Sequence, residues 1–251
     1  MNLSLCGCGF LGIYHLGVAV CLRDHAPSLL KSLKRVCGAS AGSLISCVLV
    51  ADPTKIEACI DFTLKLADDI RKKPLGAMTP GFNLLVPLRG FLEEHLPPNA
   101  HELCTNTLYV SVTNAQTKKN EVACQFSSNE DLIQHLMASC HIPFYAALRS
   151  PVISGKKYMD GGMTNNLVIF EDGRTLTVSP FCGPQDICPR DKPGKGWYFN
   201  FAEQHFQMNK RNMVRGIHAL FPPSQKNLKI YLNQGMKDAE RFLRTEGLYV
   251  S

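Results

Sequence analysis

The pentapeptide Gly38-Ala39-Ser40-Ala41-Gly42 constrains this chain more than any other feature. It stands between Lys34–Cys37, which reads as a short strand, and the apolar run Ser43–Val50, which reads as a helix. A GxSxG turn in that setting holds its serine in a strained bend, with the hydroxyl projecting above a sheet. Small residues at Gly38, Ala39, Ala41 and Gly42 let strand and helix approach closely. The dipole of the following helix favours developing negative charge at the serine. Ser40 is therefore the candidate nucleophile. The competing reading is a tight turn whose serine only caps the helix.

A second glycine turn, Gly7-Cys8-Gly9-Phe10-Leu11-Gly12, lies between a buried strand, Asn2–Leu5, and a helix over Ile13–Arg23. Successive backbone N–H groups in such a loop can cradle an anion. A dinucleotide site would want an acidic residue about twenty positions on, at the end of the second strand. Asp24 lies only twelve past Gly12, at the end of a helix, and the second strand runs straight into the elbow. An oxyanion hole is the better reading, and a packing turn is the alternative. A third motif, Asp160-Gly161-Gly162, ends a short strand at Lys157–Met159. Its glycines permit a bend that aims the carboxylate back toward the elbow. Alone it is a generic turn.

Strand and helix alternate along the rest of the chain. Asp52-Pro53 opens a helix striped by Ile56, Cys59, Leu64, Ala67 and Ile70. Helical spacing resumes over Leu84–Leu96. Thr107–Thr113 and Glu121–Phe126 read as a hairpin, Ser128 caps a helix over Asp131–Ala138, and Arg174–Ser179 reads as a strand. A loop follows over Cys182–Gly196, then a strand at Trp197–Phe201 and helices at about Glu203–Phe221 and Gln225–Glu246. With no repeat and no linker, this predicts one α/β domain over residues 1–251 with a largely parallel sheet.

Composition narrows the chemistry. The formal charge is +6 without a long basic run, so nucleic acid is not an expected partner. The eleven cysteines include no CxxC pair and sit mostly in apolar segments, as buried residues of a reducing compartment would. No metal site is expected. The apolar first twenty-two residues are interrupted by glycines and His15 and lack a basic start, a poor pattern for a signal peptide or a membrane span. Among eight histidines, His205 and His218 are the candidates for a Ser-His-Asp triad, though both fall on expected helices. Cys140-His141 offers a thiol alternative, against a buried helix-end cysteine. Leu75, Met78, Phe82, Leu84, Leu85, Leu88, Phe91 and Leu92, bordered by Arg71, Lys72, Lys73 and Arg89, suit either a mobile interfacial cap or an ordinary core helix with a loop.

Together, the glycine loop near the N-terminus, GxSxG about thirty residues on and Asp-Gly-Gly about 120 residues later resemble a patatin-like phospholipase domain over nearly the whole chain. The stretches CGFLGIYHLG, CGASAGS, YMDGGMTNN, TVSPFCGPQDICP and ALFPPS resemble its adipose triglyceride lipase subfamily. The resemblance implies a three-layer α/β/α fold and a Ser–Asp dyad of Ser40 and Asp160. It also implies an oxyanion hole at Gly7–Gly12, and long-chain acyl esters (triacylglycerol, retinyl ester, phospholipid) as substrates. Many plant patatins carry a basic residue in the loop where this chain has Phe10-Leu11, so backbone donors must suffice here. The expectation is a cofactor-free serine acyl hydrolase, with transacylation as a further activity, peripheral on lipid droplets or membranes inside the cell or in the mitochondrion. The alternative is an adaptor that kept the fold and lost turnover.

Overall fold

The computed structural model describes residues 1–191 and 197–250, so the end of the expected Cys182–Gly196 loop lies outside the described residues. In chain order its elements are β1 (Asn2–Leu5), α1 (Gly12–His25), α2 (Pro27–Ser32), β2 (Arg35–Ala39), α3 (Ala41–Ala51), α4 (Ile56–Arg71), α5 (Leu85–His95) and α6 (Ala100–Cys104). There follow β3 (Leu108–Asn114), β4 (Asn120–Ala123), α7 (Asn129–Ser139), β5 (Val152–Ile153), β6 (Lys156–Asp160), β7 (Thr175–Val178), β8 (Tyr198–Phe201), β9 (Gln204–Gln207), α8 (Lys210–Leu220) and α9 (Gln225–Thr245). The expected α/β class holds. The sheet has the order β5-β6-β3-β2-β1-β7, parallel from β7 through β1 and β2 to β3, with β4, β5 and β6 antiparallel.

Residues paired across parallel strands share a face, so Leu3, Val36 and Leu108 point the same way. That face is apolar and carries the helices. Leu3, Leu5, Val36 and Leu176 join the core of α1, α4 and α9, and Leu108, Val110 and Val112 join α6 and α7. The other face is small and polar. Ser111 Oγ donates to the Asn165 carbonyl at 2.9 Å, and Thr177 Oγ1 donates to Asp186 at 2.7 Å, so irregular chain covers it. The apolar N-terminal run resolves into β1 and α1. Helix α1 is buried nearly all round because α9 packs along it, with the Tyr14 hydroxyl donating to Asp238 at 2.8 Å. No helix among the described residues is long and apolar enough to cross a membrane.

One expected helix is corrected. The span from Glu203 to Phe221 is not continuous, because β8 and β9 form a two-stranded hairpin before α8 starts at Lys210. The hairpin turns on Ala202 and Glu203, both with positive φ (47° and 62°), the backbone that a tight two-residue turn demands. Neither residue announces such a turn. Buried hydrogen bonds of Gln204 to Ser179 and Asn166 hold β9 in place. Asn209 then caps α8 by accepting from Asn212 N at 2.8 Å.

Candidate active site

Ser40 follows β2 directly, with φ 52° and ψ −129°. That backbone is costly for a residue with a Cβ, on the order of 1–3 kcal/mol. Two close approaches impose it. A Cβ on Gly38 would overlap the backbone of Gly42, and a Cβ on Gly42 would overlap the Leu5 carbonyl of the neighbouring strand. The turn is pinned from both sides. Ser40 N donates to Ser139 Oγ at 2.8 Å, and the Ser40 carbonyl accepts from Ser43 N and Oγ.

Strand pairing brings the third motif to the first. On β3, Ser111 pairs with Ala39 of β2, and the next residue, Val112, pairs with Asp160 of β6. Strand β4 overlaps β2 at Val110 and Ser111 and overlaps β6 at Val112 and Thr113, so it occupies the opposite edge. Strands β2 and β6 therefore share one edge of β3, and Asp160 arrives where β2 ends and Ser40 begins. Gly161 and Gly162 turn the chain away as a short 3-10 helix.

Asp160 is 3% exposed. Its Oδ1 accepts from Gly162 N at 2.7 Å, while its Oδ2 is buried without a hydrogen-bond partner among the described residues. Burial raises its pKa from the ordinary 3.8 to about 6, against the pull of the neighbouring Ser40 hydroxyl and the Gly162 N–H. The Ser40 hydroxyl is near enough to lower the carboxyl's pKa, and Oδ2 remains an unsatisfied buried acceptor.

The Gly7–Gly12 loop packs against the elbow: a Cβ on Gly7 would lie 3.1 Å from Ser40 Cβ. Three of its N–H groups are spent. Gly7 N donates to Asn166 Oδ1 at 3.0 Å, Leu11 N to the Cys8 carbonyl at 3.0 Å, and Gly12 N to the Gly9 and Phe10 carbonyls. The expectation that the whole loop donates is corrected accordingly. The N–H groups of Cys8, Gly9 and Phe10 have no acceptor among the described residues. Asn166, which sequence reasoning passed over, grips the loop from the other side, with Nδ2 donating to the Gly7 carbonyl at 3.1 Å and to Gln204 at 2.6 Å. Its signal was faint, a loop asparagine six residues past Asp160.

These groups line a cavity of about 490 Å³. Its walls come from α3 (Leu44, Val48), α4 (Phe62, Leu66) and α5 (Leu88, Phe91). The stretch read either as an interfacial cap or as a core helix with a loop divides: Leu84 and Leu92 are buried and with Leu88 and Phe91 line the cavity, while Leu75 and Met78 stand exposed. Arg89 is held by Glu93 and Glu130. No histidine lines the cavity among the described residues. His205 is exposed on β9, not on a helix, and His218 contacts the Tyr231 hydroxyl at 2.9 Å. Cys140 is buried against the elbow, and its thiol is pushed well up by that burial and by the Asp160 charge. His141 beside it is buried, which lowers its pKa.

Ten of the eleven cysteines are buried, and Cys124 is partly so. Cys6, Cys8 and His15 lie together, their ligand atoms within 4.8 Å of one another, a grouping that the CxC spacing did not announce. His15 Nε2 contacts the Cys6 carbonyl oxygen at 2.9 Å, and Cys6 Sγ lies 3.8 Å from that nitrogen. Burial alone would raise the Cys6 thiol, but contacts with Cys8, His15 and Ser179 outweigh it and lower its pKa. The three side chains form a polar knot beneath the glycine loop.

The profile of the patatin-like phospholipase family matches residues 3–171. Human patatin-like phospholipase domain-containing protein 4 is 47% identical over 249 residues, covering 99% of this chain and 98% of that protein. Human patatin-like phospholipase domain-containing protein 2 is 40% identical over 98% of this chain and 49% of its own length. A human 1-acylglycerol-3-phosphate O-acyltransferase is 36% identical over 98% of this chain and 51% of its own. This chain thus spans about half the length of the latter two. Among solved structures, VipD from Legionella pneumophila shares the fold at a TM-score of 0.53 and 15% identity, over 97% of this chain and 66% of that one. The chain belongs to the patatin-like phospholipase family.

Proposed function

We propose that this chain is a serine acyl hydrolase for long-chain lipid esters, working through a dyad of Ser40 and Asp160. The observation that carries the reading is a strained serine near a buried, half-satisfied carboxylate, both lining an apolar cavity. Asp160 takes the Ser40 proton as the hydroxyl oxygen attacks the ester carbonyl. The free N–H groups of Cys8, Gly9 and Phe10 hold the oxyanion, and the dipole of α3 adds to them. The alcohol leaves with a proton from Asp160, and water, or an acceptor alcohol in transacylation, releases the acyl group. The acyltransferase name of one relative supports the second branch. The apolar cavity walls suit an acyl chain, which supports lipid droplets or membranes as the place of work.

Product analysis on triacylglycerol, retinyl ester and phospholipid, with and without an acceptor glyceride, tests the reading. Fatty acid or transferred acyl product is expected, with a fluorophosphonate probe labelling Ser40. A folded protein that neither labels nor turns over any ester is the adaptor instead.

Asn166→Ala should lower turnover about 10–100-fold. It frees the Gly7 N–H and carbonyl, so the loop loses the grip that aims its free donors. An oxyanion exists only in the transition state and intermediate, so kcat should fall while KM moves little. Equal changes in both parameters, or none, would show that Asn166 does not position the loop.

A further inference from the structure

Helix α8 is inverted. Its buried side is polar except for Ala219: Asn212 bonds the Cys182 backbone at 2.8 and 2.9 Å, and Arg215 grips Asp191 with two hydrogen bonds of 2.6 and 3.0 Å. Its outer side is apolar, with Met213 and Ile217 at helical spacing and 70% and 58% exposed. Such a helix meets water with the wrong face, and the adjoining hairpin does the same. Trp197, Phe199 and Phe201 stand exposed there, more contiguous apolar surface than a water-facing ribbon normally shows.

The two surfaces meet at the cavity mouth. Phe201 and Leu220 are exposed and also line the cavity, as Met163 does from the Asp160 side. The patch therefore surrounds the opening through which a water-insoluble ester must pass. Exposed Lys210 stands one turn before Met213 and Val214 on the same helix, placed to meet phosphate groups as the apolar stripe enters the acyl region. Aromatic residues such as Trp197 and Tyr198 suit that boundary, being apolar in body and polar at one end.

We propose that the outer face of α8 and the β8–β9 hairpin form the surface by which this protein docks on a phospholipid layer, with the cavity mouth facing the lipid. This assignment rests on the acyl-ester reading for its purpose but not for its test.

Trp197 is the sole tryptophan of the chain, so its fluorescence reports on the hairpin directly. Wild type, Ser40→Ala, Met213→Glu/Ile217→Glu and Phe199→Glu would be mixed with phosphatidylcholine vesicles and assayed by flotation. Leu103→Glu on α6, at the amino ends of the strands, serves as the control. Wild type and Ser40→Ala should float and shift their Trp197 emission to the blue. The two patch variants should bind at least tenfold more weakly, with turnover of a soluble short-chain ester within twofold of wild type. Leu103→Glu should bind normally. Wild type that neither floats nor shifts overturns the proposal, as do patch variants that bind normally or a control equally impaired. A dimer in sedimentation that Met213→Glu/Ile217→Glu dissociates, without vesicle binding by wild type, gives the face to a second copy instead. A protein inactive on every ester that still floats through α8 removes the catalytic reading and leaves the docking surface standing.

Discussion

Ser40→Ala should lower ester turnover by about 10³-fold or more, to the residue that binding and the oxyanion hole supply without a nucleophile. The fold should survive the change. The contacts that pin Ser40 use its N–H and its carbonyl, and alanine keeps both. Alanine also keeps the Cβ, and so keeps the strain of φ 52°. Ser40→Gly separates the two properties. It should be equally inactive yet more stable by about 1 kcal/mol, because glycine tolerates that backbone. Thermal melts and fluorophosphonate labelling of the three proteins check both halves. Hydrolysis retained by Ser40→Ala would move the chemistry elsewhere. A glycine variant no more stable than alanine would show that the elbow stores no strain.

What the sequence disclosed was what is local. The strand–elbow–helix unit and the glycine loop are each built from neighbours in the chain, so their geometry can be read from residue size and order. Asp160 was different: its motif was visible, but its place beside Ser40 depends on β2 and β6 sharing one edge of β3. The β8–β9 hairpin was hidden because Ala202 and Glu203 take positive φ without a glycine or asparagine signal, under the hold of buried Gln204. The span from Leu84 to Leu92 was ambiguous because an apolar stripe reads the same whether it faces a core, a cavity or a membrane. Helix α8 misleads in the same way, since periodicity cannot say which side faces in. Buried Arg215 paired with Asp191 decides it.

Asp160→Asn should cost nearly as much turnover as loss of Ser40, about 10³-fold, while making the protein more stable. The base must be ionised, so turnover of wild type should rise with pH up to about 6 and level above it. Stability should run the other way. The folded-state pKa is raised from 3.8 to about 6, so the fold binds this proton more tightly than the unfolded chain does. Below about pH 3.8 the carboxyl is neutral in both states and costs the fold no charge burial. As pH rises from there to about 6, the unfolded chain ionises first and stability falls. Above that the loss is complete, at roughly 1.4 kcal/mol per pKa unit, or about 3 kcal/mol. Asparagine is neutral throughout, so it removes the buried charge whose Oδ2 stands unpaired. At pH 8 the variant should therefore melt several degrees above wild type, at roughly 2–4 °C per kcal/mol for a chain of this size. The difference should shrink as pH falls through 6 toward 4. Melting and single-turnover acylation of both proteins across that range would decide the matter. A stability gain independent of pH would mean that Asp160 carries no raised pKa. Full activity in the variant would mean that another group takes the proton.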